Sequence, residues 1–253
     1  FAQAAEASGW DGLFIWDHLA FIWNGASADP WVTLAAVAAT TKNLYLGPAV
    51  TPVARRRPQV LAQQLASLDW LSDGRAIFGV GLGGAPAEFT AFGQPFEPKQ
   101  IGTMLDEGLD VITKLWTGQP VTHHGAHYTV ENVTFQPKPI QQPRIPIWVG
   151  GESRAAMRRA ARWDGWVIGI PDEQGRPKWT PEELAAEIAW IQARRPDPAT
   201  PFDVAMIGDS QPGLNTMARD YAQAGGTWWL ESIHEMRATP EELLARVKAG
   251  PPA

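Results

Sequence analysis

Short apolar runs alternate with amphipathic helical patterns along almost the whole chain. This alternation is what most restricts the fold, because strands separated by helices pack as a parallel α/β arrangement. Residues 13–16, 44–50, 76–82, 145–149, 166–170, 202–207 and 227–230 read as strands. The helices between them are legible from their caps as well as their periods. Asp29 with Pro30 opens one, as an N-cap followed by a proline at the first helical position. Thr180-Pro181-Glu182-Glu183 and Thr239-Pro240-Glu241-Glu242 are capping boxes. Leu61, Leu65, Leu68 and Leu71 share one face of another helix. Residues 1–8 read as a helix ahead of the first strand, and the helix after residue 207 is expected over 215–224.

Seven strands result, whereas a (β/α)₈ TIM barrel needs eight. The reading is therefore an α/β TIM barrel whose first strand lies upstream of Phe1. A doubly wound open sheet is the rival, but it places a glycine-rich phosphate turn after its first strand, where this chain has Trp16-Asp17-His18. Residues 85–144 break the rhythm with one helix (Leu105, Leu109, Ile112, Trp116), a hairpin around Gly125 and a proline-rich stretch. They are read as an insertion within a single domain spanning 1–253, being too short and proline-rich to hold a core of their own.

Composition excludes several function classes. With 45% hydrophobic and 19% charged residues, a large core can be buried and disorder is not expected. A net charge of −6 without a basic block argues against nucleic acid. The absence of cysteine removes disulfides, thiolate metal sites and cysteine nucleophiles. No apolar run approaches the roughly 18 residues of a membrane span. A cytoplasmic location is expected, although the chain begins at Phe1 and not Met.

In such barrels the chemistry sits at the C-terminal ends of the strands. After the first visible strand come Asp17 and His18, where a histidine can exchange a proton near neutral pH and Asp17 can orient it. After the next come Ala49, Val50 and Thr51, with Thr51 able to bond a ring carbonyl. The glycines at 79, 81 and 83 follow the third, permitting close backbone approach. Gly150, Gly151, Glu152 and Ser153 lead into a helix and read as a phosphate cradle, although the charge of Glu152 opposes phosphate. The alternatives at these places are a structural aspartate and a packed histidine, glycine-dependent turns, and an ordinary serine N-cap. Arg55-Arg56-Arg57 reads as a solvated face or as a contact for an anionic tail. His123, His124 and His127 flank the hairpin turn without a carboxylate at ligand spacing, so they read as solvated and no metal is expected. Phe21, Trp23, Phe89 and Phe92 suggest an apolar pocket wall or plain packing.

Taken together, Gly12-Leu13-Phe14-Ile15-Trp16-Asp17-His18, Asp29-Pro30-Trp31-Val32, Leu46-Gly47-Pro48 through Arg57-Pro58, Leu71-Ser72-Asp73-Gly74-Arg75, Gly79-Val80-Gly81 and Ile147-Trp148-Val149-Gly150-Gly151 resemble the luciferase-like monooxygenase family. The resemblance covers most of residues 9–166 and fades to architecture beyond Pro171. It implies a barrel with a flavin over the C-terminal face, FMN or the deazaflavin F-420. It implies a non-proline cis peptide at Ala49-Val50, a cofactor phosphate at Gly151, Glu152 and Ser153, and His18 as proton donor or base. The reaction it implies first is monooxygenation of a small organic substrate by reduced FMN and oxygen, with a flavin reductase as a possible partner and a homodimer as a possible assembly. Hydride transfer through F-420 is the alternative, and a non-catalytic flavin-binding barrel is another. Deazaflavin sugar-phosphate dehydrogenases of the family carry a glutamate about where Gly83 stands, so that specific activity is not expected.

Overall fold

A computed structural model describes residues 1–20, 26–169, 177–210 and 216–252. In chain order the elements are α1 (Ala2–Ala7), β1 (Gly12–Ile15), α2 (Pro30–Thr40), β2 (Tyr45–Pro48), β3 (Thr51–Pro52), α3 (Pro58–Ser72), β4 (Phe78–Gly81), α4 (Ala87–Thr90) and α5 (Pro98–Leu115). There follow β5 (Pro120–His124), β6 (Thr129–Thr134), β7 (Ile147–Gly150), α6 (Arg154–Ala160), β8 (Gly165–Ile168), α7 (Pro181–Gln192), β9 (Asp203–Gly208), α8 (Thr216–Gln223), β10 (Trp228–Glu231) and α9 (Pro240–Lys248). Each strand read from the sequence is present. The one expected over 44–50 is divided into β2 and β3, and the Ala49-Val50 peptide between them is cis. Ile170 and Asn215, expected at the ends of a strand and a helix, lie outside the described residues, as do Phe21 and Trp23.

The residues group into two compact units, Leu13–Pro146 and Phe1–Gly12 with Ile147–Ala253. In the first, β1 lies beside β2, and the Ala49 N–H donates to the Ile15 carbonyl at 2.9 Å. β3 runs parallel to β4, with Thr51 opposite Val80 and Pro52 opposite Gly81. Leu46 bridges Ala76 in the same sense. The C-terminal ends of β1, β2 and β4 therefore come together. α2 starts where the sequence predicts, the Asp29 carboxylate accepting from the N–H groups of Trp31 and Val32. α3 buries Leu61, Leu65 and Leu68 and packs on α5, whereas Leu71, expected on the same face, is turned to solvent in the last turn. α5 buries Leu105, Leu109 and Ile112. The long helix of segment 85–144 thus belongs to the core of this unit, because its apolar stripe needs a partner and α3 supplies one. The antiparallel β5–β6 hairpin, expected around Gly125, is largely exposed.

The proline-rich stretch is tied down by two neighbouring side chains of α3, Trp70 donating through Nε1 to the Lys138 carbonyl at 2.8 Å. Asp69, fully buried, accepts from the N–H of Ile140 at 2.9 Å, the N–H of Gln141 at 3.0 Å and the Gln141 side chain at 2.6 Å. A buried carboxylate is tolerable only when its oxygens are matched in this way.

In the second unit β7, β8, β9 and β10 are consecutive parallel neighbours. β8 is buried along its length, as a parallel strand covered on both faces must be. Both capping boxes form, with Thr180 and Glu183 at α7 and Thr239 and Glu242 at α9.

Replacing Asp69 tests how the first unit is closed. Asp69→Ala strands three buried donors and is expected to cost about 2–4 kcal/mol in urea unfolding. Asp69→Asn, which keeps one accepting oxygen, is expected to cost less.

Candidate active site

The loops at the C-terminal ends of β1, β2 and β4 carry an ion network that the sequence does not announce. Asp17 follows β1 and is 2% exposed. Its Oδ2 accepts from the Thr51 hydroxyl at 2.9 Å. Arg56 grips both oxygens, Nε to Oδ2 at 2.8 Å and Nη2 to Oδ1 at 2.6 Å. Arg55 donates through Nη2 to Oδ1 at 2.8 Å and to the Asp17 carbonyl at 2.6 Å. The other terminal nitrogen of Arg55 reaches Glu88 of α4. Arg55 is thus a two-pronged bridge between two buried carboxylates, a geometry that suits a planar guanidinium and not a lysine.

His18 stands at the edge of this network with 19% of its side chain exposed. Its Nδ1 lies 3.1 Å from Glu88 Oε1, and the same oxygen accepts the Ala20 N–H at 3.0 Å. The Ser27 hydroxyl donates to the His18 carbonyl at 2.8 Å, fixing the loop from the other side. These contacts change three expectations. Asp17 is taken up by Thr51, Arg55 and Arg56, and the carboxylate set on His18 Nδ1 is Glu88. Thr51, fully buried, commits its hydroxyl to Asp17 and not to a ring. Arg55 and Arg56 are neither a solvated face nor unengaged cations, while Arg57 alone of the three is exposed. Glu88 is the residue that the sequence reading missed. Its signal was an acidic side chain in the first turn of a short helix, just past the glycines at a strand end.

The glycines at 79 and 81 have a packing reason of their own. A Cβ on Gly79 would stand 2.1 Å from the Pro48 carbonyl oxygen, and one on Gly81 would stand 2.6 Å from a Val50 methyl. Both are needed for β2 and β4 to approach. Gly83, at φ +94, is turned into a conformation that L side chains rarely adopt. Among the described residues, nothing lies within 4 Å of a Cβ added at Gly84. With Ala49, Gly81 and Gly84 at these ends, no bulky side chain springs from those positions. A flat heterocycle can approach the backbone here, with His18 as a proton-exchanging neighbour, so the residues present fit a cofactor of the flavin class.

The expected phosphate segment lies in the second unit. Gly150 ends β7 and Gly151 has φ +118. Ser153 is an N-cap, its hydroxyl accepting from the Ala156 N–H at 3.1 Å. Glu152 pairs with Lys178 at 2.7 Å, which answers how its charge is balanced. Phe89 is buried against Phe96 while Phe92 is exposed.

The histidines at the hairpin are less solvated than expected. His123 lies 3.1 Å from Glu107 and 3.6 Å from Asp110, and His127 meets the Thr103 hydroxyl at 2.9 Å. His124 is exposed, near Glu131. No group among the described residues has the makings of a metal site. Burial works to raise the Glu107 carboxyl, but the bond from His123 and the N–H groups of Tyr128 and His127 outweigh it and hold it below its ordinary value.

Comparison with known proteins places the chain. The luciferase-like monooxygenase model matches residues 1–247. The chain belongs to the luciferase-like monooxygenase family. An uncharacterised protein of Mycobacterium tuberculosis is 32% identical over 81% of this chain and 74% of its own length. An F-420-dependent glucose-6-phosphate dehydrogenase of Microbacterium testaceum is 36% identical over 64% of this chain, which spans 48% of that relative. A monooxygenase of Streptomyces bottropensis superposes with a TM-score of 0.71 at 26% identity, over 98% of this chain and 70% of the other. The fold is accordingly of the TIM-barrel class, as read from the sequence. No described helix is long and apolar enough to cross a membrane.

Two measurements check this account. Arg55→Leu leaves two buried carboxylates short of a partner and is expected to lose about 3–5 kcal/mol in urea unfolding. Arg57→Ala is expected to change stability by less than about 0.5 kcal/mol. At the hairpin, a depressed Glu107 stabilises fully above the ordinary carboxylate range and loses that contribution as pH falls through its folded value. The stability difference between wild type and Glu107→Gln should therefore be constant near neutrality and shrink below about pH 4.5.

Proposed function

We propose that this chain is an F-420-dependent oxidoreductase that exchanges a hydride with a small hydroxyl- or carbonyl-bearing substrate. The observation carrying this reading is the partly exposed His18, held by a buried carboxylate at the C-terminal ends of β1, β2 and β4. Hydride removal from an alcohol needs a base for the hydroxyl proton, and a carboxylate-held imidazole at a strand end is suited to that task. The 36% identical F-420-dependent relative supports the cofactor. When bound, F-420 supplies two-electron hydride chemistry. The chain's own residues do the rest. His18 holds or accepts the proton, Glu88 and Ser27 hold His18, and Arg55, Arg56 and Thr51 keep Asp17 ordered beneath the loop. Gly83 stands about where the sugar-phosphate dehydrogenases of the family carry a glutamate, so the proposed substrate is not a sugar phosphate.

FMN-dependent monooxygenation is the second reading, favoured by the 26% identical monooxygenase that covers nearly the whole chain. A reductase supplying reduced flavin would then be a partner.

The chain's 13 tryptophans make anaerobic cofactor titration a direct test. Quenching by F-420 and not by FMN at micromolar concentration is expected, together with substrate oxidation that needs no oxygen. Quenching by FMN alone, with turnover that requires oxygen, would give the second reading. His18→Ala is expected to lower kcat by about 10²- to 10⁴-fold with cofactor affinity kept. Full turnover in that variant removes His18 from the mechanism.

A further inference from the structure

The partners of Glu88 fix more than the position of the histidine beside it. One oxygen of Glu88 is engaged by Arg55, and the other accepts the Ala20 N–H at 3.0 Å and faces His18 Nδ1 at 3.1 Å. An ionised carboxylate only accepts hydrogen bonds. The hydrogen between the two side chains must therefore sit on Nδ1. A neutral imidazole carries a single N–H, so the lone pair falls on Nε2.

From this geometry we infer that Glu88 is a positioning residue that sets the tautomer of His18, making Nε2 the atom that receives the substrate's proton. The inference rests on the hydride-transfer reading given above. In that reaction the substrate carbon gives up its hydride, and both electrons of the C–H bond, to the bound deazaflavin. The hydroxyl proton passes to His18 Nε2, and the C–O single bond becomes a carbonyl. A histidine with its hydrogen on Nε2 could not take that proton without first losing its own. Glu88 never meets the reacting atoms and acts through His18.

The arrangement also says how Glu88→Gln should fail. An amide has one accepting oxygen and one donating nitrogen. Either orientation leaves one donor without its acceptor, and Arg55 takes the oxygen because a charged donor outweighs the neutral Ala20 N–H, which loses its partner. The NH₂ then faces His18 Nδ1 and demands a lone pair there, which moves the ring hydrogen to Nε2. A group that merely fills space or balances Arg55 would leave the tautomer alone.

Long-range ¹H–¹⁵N spectra of the full chain, labelled at its five histidines and recorded without cofactor at a pH where the His18 ring is neutral, read the tautomer directly. The His18 signals are identified by their loss in His18→Ala. The expected result is Nδ1–H in wild type and Nε2–H in Glu88→Gln, with kcat of the loaded variant reduced about 10²- to 10⁴-fold and KM little changed. Nε2 found protonated in the wild type, or Nδ1–H retained in the variant, overturns the inference. If circular dichroism shows that Glu88→Gln does not fold, the wild-type spectrum alone decides. Because the spectra contain no cofactor, a failure of the redox reading leaves the tautomer result standing, and a wrong tautomer leaves the cofactor titration standing.

Discussion

The candidate site depends on one buried arginine. Arg55 touches Asp17 behind the β1 end and Glu88 on α4, and so joins segments more than thirty residues distant on either side of it in sequence. Desolvating two carboxylates is costly, and their attraction to a guanidinium offsets that cost only when the remaining lone pairs are also matched. Here they are, by Arg56, Thr51, the Ala20 N–H and His18. A network satisfied in this way has few alternative arrangements. That rigidity is what a proton-exchanging group at its edge requires, since a base that wanders by an ångström loses most of its advantage.

Charge counting on the same network bears on what it can attract. Arg55 and Arg56 against Asp17 and Glu88 sum to zero while His18 is neutral. Two arginines on a strand-end loop look, in sequence, like a landing place for an anionic tail, yet in the structure both are spent within the protein. With both guanidinium groups paired to carboxylates, these four side chains present no net charge at the strand ends.

Much of the fold was legible because its signals are local. Asp29 with Pro30, the capping boxes at Thr180 and Thr239, and the leucine face of α3 each specify an element from a few adjacent residues, and the structure contains them all. The packing partner of α5 was not legible, for the complementary reason. Its stripe of Leu105, Leu109 and Ile112 declares a helix but not the partner it covers, and that partner is α3. The site was read in part. His18 and the small residues around the Ala49-Val50 peptide follow from position at strand ends. Glu88 does not, because which carboxylate meets His18 across seventy residues is set by the closure of the fold and not by spacing.

The glycines at this edge show why a functional reading from sequence needs a structure beside it. Gly79 sits against the Pro48 carbonyl, and Gly81 against Val50, so closely that each is explained by the contact of β2 with β4 alone. Gly84 is different, for among the described residues no atom lies within 4 Å of a Cβ added there. Gly79 and Gly81 are thus held small by their neighbours, whereas Gly84, exposed in the loop on the way to Glu88, is not.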